Sequence, residues 1–197
     1  MIPVSKTEDA SWTQELVSSL LVANSEVAEV IVITQGDPLS FPLHVHEHMR
    51  VRRQSDPRTK KAGALNDGLA MSRSPFTIFI DSDVVLAGDE ISITCQVLEG
   101  EGDREGADFA SCGYGSRPPT FPIVSNFGGW YSACRTNSLR SVKGWSEGFV
   151  EDVSTTQKIK KAGYKIAMLP FAVSVRRAPR NPGLKFLSVL TSFGRRP

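Results

Sequence analysis

The chain has few of the residues that cross-link, ligate or anchor a fold. It holds three cysteines, Cys95, Cys112 and Cys134, an odd number with no two close together. That excludes a disulfide framework and a zinc knuckle and favours a reducing compartment. No histidine follows His48. No apolar run approaches the ~20 residues needed to span a bilayer. The opening Met1-Ile2-Pro3-Val4-Ser5 has neither a basic n-region nor an apolar h-region, so a signal peptide is not expected. There is no internal repeat and no low-complexity segment. Acids stop at Asp152, whereas Arg176, Arg177, Arg180, Lys185, Arg195 and Arg196 follow. This basic tail is expected to meet phosphate, a membrane surface or another acidic surface. The net charge of +2 carries no bulk argument for nucleic acid. The expected location is cytoplasmic, with peripheral membrane contact through the tail.

What is present suits one globular domain. With 197 residues, 40% hydrophobic and 22% charged, the chain can bury a sizeable core. Phe76-Thr77-Ile78-Phe79-Ile80 reads as a strand buried on both faces. It runs into Asp81-Ser82-Asp83, and period-2 geometry sends both carboxylates to one side if the chain stays extended. Ligands of open α/β sheets bind beyond the carboxyl ends of strands, and a carboxylate pair there suits a divalent cation that itself holds phosphate oxygens. The alternative is one capping acid and one solvated acid.

Met1 to Val4 reads as the end of a first strand. Ser11-Trp12-Thr13-Gln14 reads as a capping box, followed by Leu16, Val17, Leu20 and Leu21 on one helical face, with Asn24 as the stop. Val30 to Ile33 is a second buried strand, ended by Gln35-Gly36-Asp37-Pro38. Strand, helix, strand implies a right-handed crossover and a parallel pair. Residues 39–57 read as irregular and contain His44, His46 and His48. Period-2 spacing could align these for a metal, but no fourth ligand is evident, so a half-exposed strand or loop is preferred.

Arg58 to Ser72 reads as a helix with Ala62, Leu65, Leu69 and Ala70 inward. Arg58, Lys60 and Lys61 at its start oppose the macrodipole unless an anion lies between. Residues 89–98 fit either strand or helix. Ala107 to Tyr114 reads as a strand. Gly115 to Pro122 reads as a lid or acceptor-binding loop. Gly128-Gly129 permits close backbone approach to a ligand. Gly148 to Asp152 leads into a helix with Val153, Ile159 and Ala162 inward and Gly163 at C′. Tyr164 to Leu169 reads as a last strand closed by Pro170. Leu184 to Phe193 reads as a short terminal helix that docks or lies on a surface.

Three blocks in this order resemble the family 2 glycosyltransferases of the GT-A fold. They are the basic Lys61-Ala62-Gly63-Ala64-Leu65-Asn66 helix, the Asp81-Ser82-Asp83 motif, and Gly144 to Val153 continued by Ala162-Gly163-Tyr164. The resemblance implies a single α/β domain over residues 1–175, a mostly parallel Rossmann-like sheet with helices on both faces. Residues 1–98 would be the nucleotide-sugar half, 99–175 the acceptor half, and 176–197 the basic tail. It implies an inverting transfer of sugar from a nucleotide diphosphate to an acceptor hydroxyl. Asp83 with Asp81 would bind Mn²⁺ or Mg²⁺, and Asp152 would be the general base. Pro3, Ser5, Gln35, Arg58, Lys60, Lys61, Asp81, Ser82 and Arg176 would contact the nucleotide-sugar. Gly128, Gly129, Trp130 and Glu151 would face the sugar and acceptor. A UDP-sugar is the expected donor and a GDP-sugar the alternative. A glycan, lipid, protein or modified nucleobase would be the acceptor.

The chain departs from the family pattern in three places. Thr34 and Gln35 replace an acidic pair that reads the base. Val4-Ser5 follows Pro3 where a tyrosine is frequent. No late histidine completes a metal shell, and Arg176 or Arg177 falls near that region, where a guanidinium could neutralise diphosphate. Two other readings remain open. Ile80-Asp81-Ser82-Asp83-Val84-Val85 matches the nucleophile motif of haloacid-dehalogenase phosphatases, with Asp81 phosphorylated. Alternatively, a degenerate GT-A fold acts as a binding module through its basic tail.

Overall fold

The computed structural model describes residues 1–5, 10–23, 27–36, 47–100, 105–114, 126–147 and 150–176. The chain opens with β1 (Ile2–Val4), α1 (Ala10–Ala23) and β2 (Val30–Thr34). β1 and β2 pair in parallel, from Ile2 opposite Val32 to Val4 opposite Thr34. Every residue of β2 is buried, which is why it reads as an unbroken apolar run. β3 (Met49–Arg53) pairs with β2 in parallel. It lies in the stretch read as irregular or half-exposed. Only Met49 of its Met-Arg-Val-Arg-Arg sequence is buried, and charge on an edge strand masks the strand pattern. His48 precedes it, exposed beside Glu47; His44 and His46 lie outside the described residues.

A 3₁₀ turn (Pro57–Thr59) leads into α2 (Lys60–Met71). Then come β4 (Phe76–Ile80), β5 (Val84–Val85), α3 (Glu90–Glu99), β6 (Phe109–Tyr114), β7 (Tyr131–Arg135), α4 (Thr136–Ser141), α5 (Glu151–Lys161) and β8 (Ile166–Val175). The second group of strands has the order β4-β7-β6-β8-β5. Met1 links it to the first: its nitrogen donates to Ile78 O at 2.7 Å and its carbonyl accepts from Ile80 N at 3.0 Å. That one-residue, two-strand pattern belongs to a parallel ladder. β1, β2, β3, β4, β6 and β8 therefore run one way, and β7 and β5 run against them. The sheet is mostly parallel.

Strand alternation divides the core between two faces. Val30, Val32, Ile80, Ala110 and Ala133 pack with Leu16, Val17 and Leu20 of α1 and with Ile91 and Leu98 of α3. Phe79, Phe109 and Cys134 pack with Leu65 and Leu69 of α2, Leu139 of α4 and Ile159 of α5. Phe109 and Phe127 are fully buried there, each contributing about 2–3 kcal/mol by area. Helices thus cover both faces, as the resemblance implies.

Several local expectations change. α1 starts at Ala10, so Ser11 lies within the helix, and Gln14 donates to Ser18 Oγ. Residues 90–99 are helical, and the Ile91, Leu98 spacing prevails over the alternation. β8 continues through Pro170 to Val175. The β6–β8 register shifts between the Ser111–Met168 and Gly113–Ala172 pairs, and such an irregularity accommodates a residue without an N–H. The inward residues of α5 are Thr155, Thr156 and Ile159, while Ala162 is exposed at the helix end. Gly163, at φ +86°, follows as expected. Gly115 to Pro122 and Leu184 to Phe193 lie outside the described residues.

Candidate active site

The end of β4 is a turn. Val84 N donates to Asp81 O at 3.1 Å, so residues 81–83 are not extended and period 2 does not govern them. Ser82 turns inward, 2% exposed, while Asp81 and Asp83 stay partly exposed. The main chain holds both acids. Asp81 N donates to Trp130 O at 2.9 Å, and Asp83 O accepts from Arg176 N at 2.9 Å. The Arg176 guanidinium pairs with Glu15 of α1. Its backbone therefore borders the acids, but its charge is directed elsewhere.

Lys61, in the first turn of α2, gathers the site. Its Nζ lies 2.6 Å from Asp81 Oδ1 and donates to Asp81 Oδ2 at 2.8 Å. It donates also to Gly129 O at 3.2 Å and lies 3.9 Å from Glu151 Oε1. Desolvation pulls the ammonium pKa down, but Asp81, then Glu151 and Asp152, outweigh it and hold it above its ordinary range. One cation thus binds the end of β4, the glycine pair before β7 and the acidic start of α5.

Beside it lies a cleft of about 80 Å³ lined by Pro3, Val4, Ser5, Gln35, Lys61, Ala64 and Asp81. Gln35 is held at the rim by its backbone, which donates to Val4 O at 3.0 Å. Five residues expected at the nucleotide, Pro3, Ser5, Gln35, Lys61 and Asp81, meet here. Arg58 does not line this cleft: its guanidinium binds Asp56 at 2.8 Å and its side chain is 88% exposed. Lys60 is exposed. Of the basic trio, only Lys61 enters the site.

On the other side of Lys61, Gly128 has φ +127° and Gly129 φ +76°, both costly for a side-chain-bearing residue. A β-carbon on Gly128 would stand 2.4 Å from Asp152 Cβ and 3.2 Å from Trp145 Cζ3. Asp152 thus packs on the glycine loop, on the same side as Lys61. Glu151 and Asp152 occupy the first turn of α5, the helix end that attracts negative charge. Asp152 Oδ1 accepts from Val153 N at 2.8 Å.

Among the described residues, no group of three or more His, Cys, Asp or Glu could hold a metal ion. Asp81 and Asp83 supply one or two carboxylates, the protein share typical for a hard cation that takes its remaining oxygens from phosphate and water. The donor set fits a cation arriving with its diphosphate.

Nothing in the spacing singles out Asn66, Thr155 or Thr156, although Asn66 lies within the basic helix motif. The two threonines sit in a polar helix and look solvated on paper. Both are buried and accept backbone N–H groups.

The sequence profile of glycosyl transferase family 2 matches residues 2–147, and the chain belongs to that family. No curated protein sequence matches it significantly. The fold is similar to that of a mannosyltransferase from Pyrobaculum calidifontis solved with GDP-Man and Mn²⁺. The TM-score is 0.72 at 17% identity, covering 100% of this chain and 65% of the other. It is similar also to glucosyl-3-phosphoglycerate synthase from Mycobacterium tuberculosis, solved with Mn²⁺, UDP and glucosyl-3-phosphoglycerate. There the TM-score is 0.64 at 18% identity, covering 97% of this chain and 75% of the synthase. The chain therefore spans about two thirds of the mannosyltransferase and three quarters of the synthase. The dehalogenase-type reading of Ile80 to Val85 is not favoured, since the stretch lies within the match to a different family.

Proposed function

We propose that this domain transfers a sugar from a nucleotide diphosphate to an acceptor hydroxyl with inversion at the anomeric carbon. The observation that carries the reading is the Lys61 ammonium, within 4 Å of Asp81, Gly129 and Glu151. It joins a strand-end acid to an acidic helix start across a glycine loop. Residues 1–98 supply the donor side: Pro3, Ser5 and Gln35 flank the base, and Lys61 offers positive charge to the diphosphate. Gln35 has both a donor and an acceptor for a base edge, so it suits a UDP-sugar or a GDP-sugar; the two similar structures hold GDP-Man and UDP. Asp83, with Asp81, would hold Mn²⁺ or Mg²⁺, which supplies Lewis-acid stabilisation of the departing diphosphate. Residues 99–175 supply the acceptor side. Gly128 and Gly129 let the backbone approach the sugar, with Trp130 beside them. Asp152 accepts the proton of the attacking hydroxyl. Glu151 balances the charge of Lys61. The basic tail contacts an acidic surface, such as a membrane that carries the acceptor.

The test is a thermal-shift panel of UDP- and GDP-sugars with and without Mn²⁺, followed by transfer assays of Asp152→Asn. A native-state ligand raises apparent stability. One donor should shift melting in a metal-dependent way, and Asp152→Asn should keep that shift while losing transfer. A wild-type protein that is shifted by no nucleotide-sugar and transfers nothing would overturn the transferase reading.

A further inference from the structure

The donor helix and the base helix are joined by a polar strap through residues 145 and 146. Asn66 lies five residues along α2 from Lys61. Its side-chain amide bonds the backbone of Trp145 in both directions: Trp145 N donates to Oδ1 at 2.7 Å, and Nδ2 donates to Trp145 O at 3.0 Å. The next amide, Ser146 N, donates to Thr155 Oγ1 of α5 at 2.9 Å. Thr156 Oγ1 accepts from Phe127 N at 2.7 Å, just before the glycine pair. The Trp145 ring, 4% exposed, stacks on Phe127 at 5.0 Å and meets Phe79 edge-on at 5.1 Å. Its edge and Asp152 together fill the space where a Gly128 side chain would be. Gly144, at φ +67°, brings the backbone so close that a β-carbon there would lie 2.4 Å from Asn66 Oδ1.

Resting on the transferase reading, we infer that Asn66 is a positioning residue: through Trp145 and Thr155 it fixes the carboxylates of α5 relative to the donor cleft held by α2. The chemistry needs such a device. Lys61 and Asp152 sit on separate helices, and an error of about 1 Å between base and reacting carbon costs about 100-fold in rate. A primary amide suits the clamp because it both accepts and donates within one plane. Thr155 extends the clamp by accepting the next amide, which leaves neither backbone group of the 145–146 junction dependent on water.

The experiment compares wild type, Asn66→Ala, Thr155→Val, Thr155→Ser and the double variant Asn66→Ala/Thr155→Val. Three quantities are read: amide hydrogen exchange, donor Kd by titration, and transfer kinetics. Asn66→Ala and Thr155→Val should each speed exchange over residues 151–156 by about tenfold, with residues 62–69 and 131–135 within about twofold of wild type. Each should lower kcat by about 10- to 100-fold while donor Kd stays within about threefold. Thr155→Ser, which keeps the hydroxyl, should restore the rate. The double variant should lose little beyond the worse single, since both break one strap.

Uniformly faster exchange with donor affinity and kcat falling together would make Asn66 a plain stability residue and overturn the proposal. Additive losses in the double variant would overturn it too. If Asn66→Ala does not fold, Thr155→Val decides alone. If wild type transfers no sugar from any donor, the function reading fails, and exchange at residues 151–156 alone judges the strap: unchanged rates in both variants overturn it.

Discussion

Gly128 makes room for Asp152: a β-carbon on the glycine would lie 2.4 Å from that of the acid, at a φ of +127°. Backbone strain and overlap therefore coincide at one residue. Gly129, at φ +76°, has nothing within 4 Å of its own β-carbon position. Gly128→Ala should destabilise by about 2–4 kcal/mol, the sum of overpacking and backbone terms. Gly129→Ala should cost about 1–2 kcal/mol, the backbone term alone. Denaturant melts of the two variants check the difference. Gly128→Ala should also lower kcat by about 100-fold by displacing Asp152. Equal destabilisation of the two variants would contradict the packing relation.

Lys61 gives a pH prediction. Its pKa in the folded protein is held above the ordinary 10.5, because Asp81, Glu151 and Asp152 outweigh desolvation. A raised pKa means that the native state keeps its proton where the unfolded chain has lost it. The stabilisation is thus complete below the unfolded pKa and is lost as pH rises through the folded one. The stability difference between wild type and Lys61→Met should be flat from about pH 7 to pH 10 and shrink above about pH 10.5. Chemical denaturation of both proteins across that range measures it. The Lys61 side chain is 32% exposed, so the difference itself should be modest. A difference that does not shrink by about pH 12 would mean that the ion pair does not supply it.

Residues whose surroundings are set by a long apolar run were legible in the sequence. Val30 to Ile33 form a strand buried throughout, and Phe76 to Ile80 one that is buried at Thr77, Phe79 and Ile80, as short apolar runs in a sheet with helices on both faces are. Asp81 and Asp152, singled out by the family resemblance of their motifs, both lie close enough to Lys61 to act on its charge. What escaped depended on tertiary contacts. β3 carries arginines because it is an edge, and its pattern resembles a loop. Thr155 and Thr156 are buried by backbone amides that they cap, which no helical periodicity reveals. Arg58 and Arg176 were expected to meet the diphosphate, but nearby acids, Asp56 and Glu15, take their charge. The turn at 81–83 was missed because a strand pattern does not announce where it stops.

Asp83 separates structure from ligand binding. Its carbonyl, not its carboxylate, accepts from Arg176 N, so Asp83→Ala keeps the contact that joins β5 to the end of β8. The unliganded variant should melt within about 2 °C of wild type, as partly exposed surface changes usually do. If Asp83 helps hold a cation, Mn²⁺ with the matching nucleotide-sugar should raise the melting temperature of wild type but add little to the variant. Chelation with EDTA should reduce wild type to the level of the variant. A metal-dependent shift of the same size in both proteins would remove Asp83 from the cation site.

The far end of β4 should affect stability without affecting chemistry. Thr77 Oγ1 lies 3.0 Å from Ser72 Oγ and 2.8 Å from Thr136 Oγ1, and Thr136 Oγ1 donates to Ser74 O at 2.7 Å. All three hydroxyl-bearing side chains are buried, so they must satisfy one another. Thr77→Val removes the middle oxygen, so Ser72 Oγ loses its hydroxyl partner while Thr136 keeps Ser74 O, a loss of about 1–3 kcal/mol. For a domain of this size that lowers the melting temperature by about 2–4 °C per kcal/mol. Thr77→Val/Thr136→Val should cost less than the sum of the singles, because removing both partners leaves fewer orphaned groups. Calorimetry of the four proteins checks the coupling. Transfer rates well below the transition should stay within about twofold of wild type, since an intact fold with its site unchanged keeps its transition-state contacts.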